Sequence, residues 1–349
     1  MLSIARKLAN KQAQVFIRNC TESDTPRLAA EVFPGDVTVE SDIVYSDKPN
    51  KLAYDLYKPF DVSGAKDCFV LIHGGAFVYG TKRNDKNFGM HLARTAQIPV
   101  INVDYTLMPD ADMSQIINEI FRAMNHAAKT YGFSRFHTVG DSAGAYLAYL
   151  TALAARNRHV AHEVWVFEKL KGTVESAALI CGAFRNDRKK WPGLYFEKEM
   201  PSKTDAKRLP EFVFDLVSIG VRDPGLKVCL ITCDHDLPYC RRDTLELKQA
   251  LEEAGAEVPF FDAQSTTVDG VEMDCGHVFC IARPEWPVGV KSLQLIADNY
   301  CRRLSVSGLL VSSVDELRDG LVDAECYRGY DYSLEQIERN ESQQEELQL

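Results

Sequence analysis

Hydrophobic positions along most of the chain follow two alternating patterns. Short, almost uninterrupted apolar runs, such as residues 68–72 and 228–232, are typical of strands buried on both faces. Between them lie amphipathic segments with helical spacing, and Ile116, Ile120 and Met124 share one face of the longest. The predicted strands are 68–72, 98–103, 136–139, 177–180, 228–232 and 258–261, and the predicted helices are 87–95, 113–131, 143–155, 245–254 and 290–304. This alternation predicts an α/β fold, with a mostly parallel central sheet and helices on both faces.

Both ends of the chain and one internal segment depart from this alternation. Residues 1–20 have helical spacing, with Ile4 and Leu8 on one face, and residues 42–57 are predicted to form a hairpin. A polar insertion at about 183–215 interrupts the later strands, and insertions of this length are usually functional. We therefore divide the chain into an N-terminal helical segment (1–40), a main domain that contains the insertion (41–304), and a C-terminal helical extension with an acidic tail (305–349).

The composition limits the classes of function. The 349 residues are 46% hydrophobic and 26% charged, which is ordinary for a globular protein with a large core. The formal net charge of −10 argues against binding to nucleic acid, whose phosphates need a basic surface. No apolar run approaches the roughly 18 residues of a membrane-spanning helix. The N-terminal region also lacks the apolar run of a secretory signal, so we expect a cytoplasmic protein without a membrane span.

Ten cysteines raise the questions of disulfides and of a metal site. They are spread from Cys20 to Cys326, without the density of a disulfide scaffold. Cys229 and Cys233 flank Leu230-Ile231-Thr232, which is predicted as a buried strand, and four residues along a strand separate the sulfurs by about 13 Å, too far for one zinc ion. We therefore expect reduced thiols and no bound metal.

A candidate nucleophile stands between a predicted strand and a predicted helix. Gly140-Asp141-Ser142-Ala143-Gly144 has the Gly-x-Ser-x-Gly pattern of a nucleophile elbow. The turn is so tight that side chains two positions before and after the serine would collide, which explains the glycines at 140 and 144. The helix N-terminus favours negative charge at this point. Ser142 is therefore the predicted nucleophile.

A second loop contains candidate hydrogen-bond donors for the negative charge of a tetrahedral intermediate. His73-Gly74-Gly75-Ala76 follows an early apolar strand and matches the His-Gly-Gly signature of an oxyanion loop. We expect the N–H groups of Gly75 and Ala76, with Gly74 as a further candidate, to act together with that of Ala143. His73 is predicted to brace the loop through a hydrogen bond rather than to act as a base.

The base and the acid are assigned by their order along the chain, because an elbow fold places an acid and then a histidine after the serine. Among the histidines that follow Ser142, only His277 lies on a loop after the last predicted strand. The acid should follow the predicted strand 228–232, where both Asp234 and Asp236 stand. Its task would be to fix the imidazole tautomer and to stabilise the imidazolium. The spacing leaves both aspartates open.

Together these motifs resemble those of the hormone-sensitive-lipase-like esterases, a branch of the α/β-hydrolase fold. The residues that carry the resemblance are His73-Gly74-Gly75, Val103-Asp104-Tyr105, Leu107, Pro109 and Gly140-Asp141-Ser142-Ala143-Gly144. The family has an Asp-Pro-Leu-x-Asp stretch, whose counterpart here is Asp236-Leu237-Pro238-Tyr239-Cys240. This alignment favours Asp236 over Asp234, although Leu and Pro are exchanged and the second Asp is missing. Ala76 stands where the family usually has a third glycine, and its methyl group would narrow the space for bulky substrate groups.

The resemblance implies a serine carboxylesterase that hydrolyses short-chain, water-soluble esters through an acyl-enzyme, without a cofactor. Ser142 would attack, His277 would transfer protons, and Asp236 would orient His277. The resemblance also implies a helical cap, built from residues 1–40 and 183–215, over an α/β-hydrolase domain.

Other functions stay open at this point. An amidase or formamidase would use the same triad and differ only in its leaving group. A non-catalytic small-molecule receptor on this fold would be expected to have lost Ser142 or His277, and this chain has both. A metal-dependent hydrolase using Asp234, His235 and nearby cysteines would be inhibited by chelators. Edge-strand dimers occur in the resembled family, so a homodimer is a further open alternative, although the sequence has no interface signal.

Overall fold

A large mixed sheet forms the centre of the protein. The computed structural model describes residues 4–47, 51–59, 62–198, 208–219, 223, 225–268 and 271–301. In chain order its strands are β1 Thr38–Ser46, β2 Leu52–Lys58, β3 Asp67–Ile72, β4 Val100–Val103, β5 Arg135–Asp141, β6 Thr173–Ile180, β7 Lys227–Cys233, β8 Phe260–Ala263, β9 Thr266–Val268 and β10 Val271–Met273. Eight strands form one sheet in the order β1-β2-β4-β3-β5-β6-β7-β8, and β9 pairs with β10 as a separate hairpin. Only β1–β2 and β2–β4 are antiparallel in the large sheet, so the predicted mostly parallel sheet is confirmed.

Helices cover both faces of this sheet. They are α1 Ile4–Ala29, α2 Lys86–Ala96, α3 Met113–Tyr131, α4 Ala143–Arg156, α5 Arg158–Glu163, α6 Leu216–Ile219, α7 Pro238–Glu253, α8 Phe279–Ala282 and α9 Pro287–Cys301. Successive residues of a strand point to opposite faces. Accordingly, Val70 of β3 packs into a core with residues of α3 and α4, whereas Phe69 and Leu71 pack into a second core with residues of α2 and α9. None of the helices in the described ranges has the length and apolarity needed to cross a lipid bilayer.

The register of the parallel strands brings the sequence motifs to one edge of the sheet. Ile72, the last residue of β3, pairs with Val103 of β4 and with Gly140 of β5. The carboxyl ends of these three strands therefore lie side by side, and open α/β sheets place their sites at this edge. His73 and Ser142 follow β3 and β5 and so emerge next to each other.

Helix α1 is longer than predicted and packs through a different face. It continues to Ala29, beyond the predicted end near residue 20. Ile4 and Leu8 are 87% and 59% exposed, whereas Ala9 and Ala13 are buried. Small side chains let a helix lie close to its neighbours, so the alanines form the packed face. The spacing correctly placed Ile4 and Leu8 together but did not predict that their face is exposed.

The additional turns of α1 are stabilised by contacts with a distant loop. The carboxylate of Asp24 accepts hydrogen bonds from the Tyr79 hydroxyl at 3.0 Å and from the Asn84 amide at 2.8 Å. Arg27 donates to the Asn84 carbonyl at 3.3 Å. These contacts stabilise the helix beyond residue 20.

Two elements late in the chain also differ from the prediction. Helix α7 begins at Pro238 rather than near residue 245, because proline suits the first turn of a helix. The hairpin of β9 and β10 was not predicted, since its strands are short and carry polar residues. This hairpin connects β8 to the loop that contains His277.

Candidate active site

Ser142 occupies a strained turn between β5 and α4. Its backbone has φ 51° and ψ −116°, and its N–H donates to the Ile180 carbonyl at 2.8 Å. A Cβ atom added to Gly140 would lie 2.3 Å from the Gly144 carbonyl oxygen, and one added to Gly144 would lie 2.0 Å from the Ile72 carbonyl oxygen. Both positions therefore require glycine, for the steric reason given by the elbow motif.

A chain of hydrogen bonds connects Ser142, His277 and Asp236. Nε2 of His277 lies 3.0 Å from Oγ of Ser142, and its Nδ1 lies 2.6 Å from Oδ1 of Asp236. The loop with His277 is positioned by a parallel bridge between His235 and Gly276. The Asp236 side chain is completely buried, while about a quarter of the His277 side chain is exposed. The histidine can therefore exchange protons with a bound molecule while its acidic partner stays out of water.

Several donors hold the Asp236 carboxylate in place. Besides His277, the Leu237 N–H donates to Oδ1 at 2.7 Å and the Thr232 hydroxyl donates to Oδ2 at 2.8 Å. Burial acts to raise the pKa of Asp236, but the hydrogen bonds and the charge of His277 outweigh it and hold this pKa below its usual value. Asp236 is therefore a carboxylate at neutral pH.

Asp234, the other aspartate after β7, contacts a different group. Its carboxylate accepts from the backbone N–H of Ser265 at 2.8 Å and from the Ser265 hydroxyl at 2.9 Å. The neighbouring His235 lies 2.6 Å from Asp274 at the exposed rim. The structure thus brings Asp236 to His277 and uses Asp234 to hold the segment after β8.

The loop after β3 lies against the elbow in an unusual backbone conformation. Gly75, Ala76 and Phe77 all have positive φ, at 99°, 49° and 66°. The N–H of Gly74 donates to Oδ1 of Asp141 at 2.8 Å. Gly74 is therefore no free donor for an oxyanion, because Asp141 already accepts its hydrogen bond. Within the described ranges, the N–H groups of Gly75 and Ala76 make no backbone hydrogen bond.

His73 is a bracing residue of this loop. Its Nδ1 lies 2.8 Å from the Gly74 carbonyl oxygen, and its ring stacks on Tyr105 with 4.4 Å between centroids. Burial lowers the pKa of His73 to about 4, so the imidazole is neutral. The Tyr105 hydroxyl donates to the His73 carbonyl at 3.0 Å. This contact of Tyr105 was not predicted, and the Asp104-Tyr105 motif was the available signal for it.

The polar insertion packs an aromatic cluster against the elbow and the loop. Phe196 is fully buried, with ring centroids 5.0 Å from Phe77, 5.5 Å from Tyr146 and 5.5 Å from Phe214. The Tyr146 hydroxyl donates to the Val213 carbonyl. Because Tyr146 lies one turn after Ser142 in α4, this cluster closes one side of the space around the serine.

Helix α1 packs on the same insertion. Arg6 donates to the Glu197 carbonyl at 2.6 Å, and the Tyr195 hydroxyl donates to Asn10 at 2.5 Å. The Phe16 ring lies 5.4 Å from that of Trp191. The N-terminal segment and the insertion are thus in direct contact.

Two groups of side chains around Asp236 carry atoms that metals bind. One comprises Cys181, Cys233 and Asp236, the other Asp236, Cys240 and His277, and within each group the ligand atoms lie within 4.8 Å of one another. Spacing along one strand gave no sign of these groups, because Cys181 directly follows β6 and Cys233 ends the neighbouring strand β7. Burial raises the pKa of Cys181 and of Cys240, which keeps both thiols protonated and makes them weak ligands.

A cavity lies between the insertion and α3, and Ser142 is not among its lining residues. It has a volume of about 490 Å³ between the start of α3, the loop before β6 and the insertion. Its lining residues are Asp112, Ser114, Gln115, Asn118, Arg122, Trp165, Phe167, Glu168, Phe196, Glu197, Lys198 and Leu209. Phe196 lines this cavity and also belongs to the aromatic cluster next to the elbow.

The fold and the elbow define the class of protein. The sequence matches the family described as alpha/beta hydrolase fold over residues 69–267, which is more than half of its 349 residues. The chain belongs to this family, and the resemblance drawn from the motifs is confirmed at this level. The matched region contains the oxyanion-type loop, the elbow and Asp236.

Solved structures of esterases share this fold. Esterase B from Lactobacillus rhamnosis, in a structure with a tributyrin phosphonate inhibitor, has a TM-score of 0.70 at 20% identity, and the match covers 84% of this chain and 95% of that one. A hyperthermophilic esterase from the archaeon Pyrobaculum calidifontis has a TM-score of 0.60 at 19% identity, over 85% and 97% of the two chains. A fungal esterase from Rhizomucor miehei has a TM-score of 0.58 at 20% identity, over 83% and 90%. At these identities the likeness establishes the common fold.

Proposed function

We propose that the protein is a serine esterase that hydrolyses carboxylic esters of short acyl chains through an acyl-enzyme. The observation that carries this proposal is the hydrogen-bonded chain from Ser142 through His277 to the buried Asp236, with distances of 3.0 and 2.6 Å. A serine hydroxyl is a weak nucleophile unless an adjacent base takes its proton, and here the base is itself oriented by an acid. The esterase names of the structural relatives agree with this reaction.

Each step of the reaction uses groups described above. Oγ of Ser142 forms a bond to the carbonyl carbon of the ester while its proton passes to Nε2 of His277. The C–O bond to the alcohol then breaks, and the alcohol leaves with that proton. Water attacks the acyl-enzyme with His277 as base, and the acid and free Ser142 are released. Asp236 keeps Nδ1 protonated and stabilises the imidazolium in both halves of the reaction.

The oxyanion of each tetrahedral intermediate would be bound by backbone N–H groups. Those of Gly75 and Ala76 lie on the loop after β3, and that of Ala143 lies at the N-terminus of α4. Such preorganised donors stabilise charge that develops only in the transition state. Gly74 is left out of this set, because its N–H donates to Asp141.

The preference for small substrates rests on the aromatic cluster. Phe77, Tyr146 and Phe196 are all at most 1% exposed, and Phe77 packs edge to face with each of the other two rings next to the elbow. Long acyl chains would have to displace these rings. Residues 1–40 and 183–215 would form the cap that shapes this side, in agreement with their contacts through Arg6 and Tyr195.

The test is hydrolysis of p-nitrophenyl esters from acetate to laurate by the wild type, Ser142→Ala and a matched control, Ser265→Ala. We expect turnover that is highest for the shortest chains and falls by about 10⁴–10⁶-fold in Ser142→Ala, as triad deletions do. Ser265→Ala should retain most of the turnover, because the Ser265 hydroxyl bonds Asp234 and the Cys275 N–H but no side chain of the triad. Full activity of Ser142→Ala would refute the proposal. Faster cleavage of matched p-nitroanilides would instead indicate an amidase, and inhibition by a chelator would indicate a metal-dependent reaction.

A further inference from the structure

A second buried aspartate lies behind the nucleophile elbow and has no task in the mechanism above. Asp85 stands at the N-cap position of α2, where an aspartate normally accepts a hydrogen bond from the first turn of the helix. Its side chain makes no such bond. The residue is 2% exposed, and within the described ranges its Oδ2 accepts no hydrogen bond from an N–H or O–H group. The carboxyl group is therefore buried without a helix cap or a donor at Oδ2 that would stabilise a negative charge.

The partner of this carboxyl group is Asp141, the residue immediately before Ser142. The carboxyl groups of Asp85 and Asp141 lie within hydrogen-bonding reach of each other. An ionised carboxylate has only acceptors, so two of them cannot form this bond. One proton must be shared by the pair. Burial raises the pKa of both carboxyl groups. Asp141 accepts the Gly74 N–H, which stabilises its charged form, whereas Oδ2 of Asp85 accepts from no donor in the described ranges, so the proton resides on Asp85.

The other contact of Asp141 leads to the oxyanion loop. Oδ1 of Asp141 accepts the N–H of Gly74 at 2.8 Å. A Cβ atom on Gly74 would lie 2.5 Å from Oδ2 of Asp141, so the carboxylate and the loop are in tight contact. Any displacement of Asp141 would move Gly74, and with it the N–H groups of Gly75 and Ala76.

We propose that Asp85 is a positioning residue for the oxyanion hole: as a neutral carboxylic acid it donates a hydrogen bond to Asp141, which in turn holds the loop at Gly74 against the elbow. This inference rests on the proposed function, because it assigns a task within that reaction. No bond of the substrate changes at Asp85, and its effect on catalysis passes through Asp141 and the loop. It also explains why an aspartate at a helix N-cap leaves that cap unused.

The kinetic test compares Asp85→Asn with Asp85→Ala. Asparagine keeps a donor for the Asp141 carboxylate, so we expect kcat to stay within about threefold of the wild type. Alanine removes the donor, so we expect kcat to fall by about 10–100-fold with little change in KM. This loss is smaller than the decrease of about 10²–10³-fold that follows the removal of an oxyanion donor itself. The control is Asp112→Asn, at the N-cap of α3, where the side chain does cap its helix and asparagine caps equally well. Equal kcat for Asp85→Ala and the wild type, or equal losses for Asn and Ala, would overturn the inference.

A second measurement follows the shared proton without any substrate. A raised pKa in the folded state stabilises the fold below the unfolded pKa and loses this contribution as pH rises toward the folded pKa. Asp85→Asn should therefore gain stability relative to the wild type as pH rises. Its Tm advantage at pH 8 should exceed that at pH 5 by at least about 2–4 °C, the shift that about 1 kcal/mol produces. The titratable and charged groups that face the pair include Asp24, Arg27, Tyr57, Tyr105, His277 and Cys280. None of them is changed in this comparison.

The two measurements separate the possible failures. A wild type that hydrolyses no ester would refute the proposed function, and the thermal unfolding would still decide whether Asp85 holds the proton. A Tm difference between Asp85→Asn and wild type that is the same at pH 5 and pH 8 would overturn the shared proton, even in an active enzyme.

Discussion

Replacing Asp236 by asparagine removes the charge of the acid while keeping its hydrogen bonds. Oδ1 lies 2.6 Å from Nδ1 of His277 and also accepts the Leu237 N–H at 2.7 Å, so an oxygen must stay at this position. Oδ2 accepts from the Thr232 hydroxyl at 2.8 Å, and a hydroxyl can turn to accept from an amide NH2 instead. The asparagine should therefore keep its oxygen toward His277. The imidazole tautomer is preserved, and only the stabilisation of the imidazolium is lost.

The size of this loss follows from the burial of the pair. Two unit charges about 4 Å apart interact by about 4 kcal/mol at an effective dielectric constant of about 20. At about 1.36 kcal/mol per factor of ten, this corresponds to a decrease in kcat of up to about 10³-fold. Asp236→Ala also frees the His277 ring, so its loss should reach about 10⁴-fold or more. Asparagine should thus be clearly less damaging than alanine.

The assay is kcat for a p-nitrophenyl ester at saturating concentration, for the wild type, Asp236→Asn, Asp236→Ala and Asp234→Asn. The last is the matched control, because Asp234 binds Ser265 rather than His277. Its kcat should remain near that of the wild type. If Asp236→Asn equals Asp236→Ala, the tautomer argument is wrong. If Asp234→Asn loses more than Asp236→Asn, the acid is Asp234.

Three other substitutions test the scaffold of the site. Gly144→Ala places a Cβ 2.0 Å from a backbone oxygen, so we expect loss of ester turnover and a lower Tm, read by activity and thermal unfolding. Phe196→Ala empties the centre of the aromatic cluster and should destabilise the fold by about 3–5 kcal/mol in urea unfolding, while longer acyl chains become better substrates. For Asp67, burial acts to raise the pKa, but hydrogen bonds from His137 and Arg135 lower it to about 2. Because a lowered pKa stabilises the fold above the unfolded pKa, Asp67→Asn should lose about 2 kcal/mol at pH 7. That loss should shrink as pH falls from about 4 toward about 2; a constant loss would contradict the assignment.

The sheet and its motif-bearing edge were predictable from the sequence, because each rests on local patterns. Apolar runs identify buried strands. The glycines at 140 and 144 identify a tight turn, because a Cβ atom at either position would collide with the backbone. Parallel strands have their carboxyl ends at one edge of the sheet, so the loops that follow β3 and β5 are expected to lie together. The family match confirms this fold.

The contacts between distant segments were not predictable in the same way. Asp234 and Asp236 stand two residues apart after one strand, and only the path of the loop decides which one reaches His277. Helical spacing places Ile4 and Leu8 on one face of α1 but says nothing about which face finds a partner. The pairing of Asp85 with Asp141 depends on the angle at which α2 meets the sheet, and neither residue carries a sequence signal for it.

Covalent labelling of the protein with a fluorophosphonate, followed by peptide mass spectrometry, tests most directly whether Ser142 is the activated nucleophile. We expect one label per chain, on Ser142, and a loss of ester turnover in proportion to labelling. The His277→Ala variant should react with the fluorophosphonate much more slowly. A label on another residue, no label at all, or full turnover by the labelled protein would contradict the assignment of Ser142.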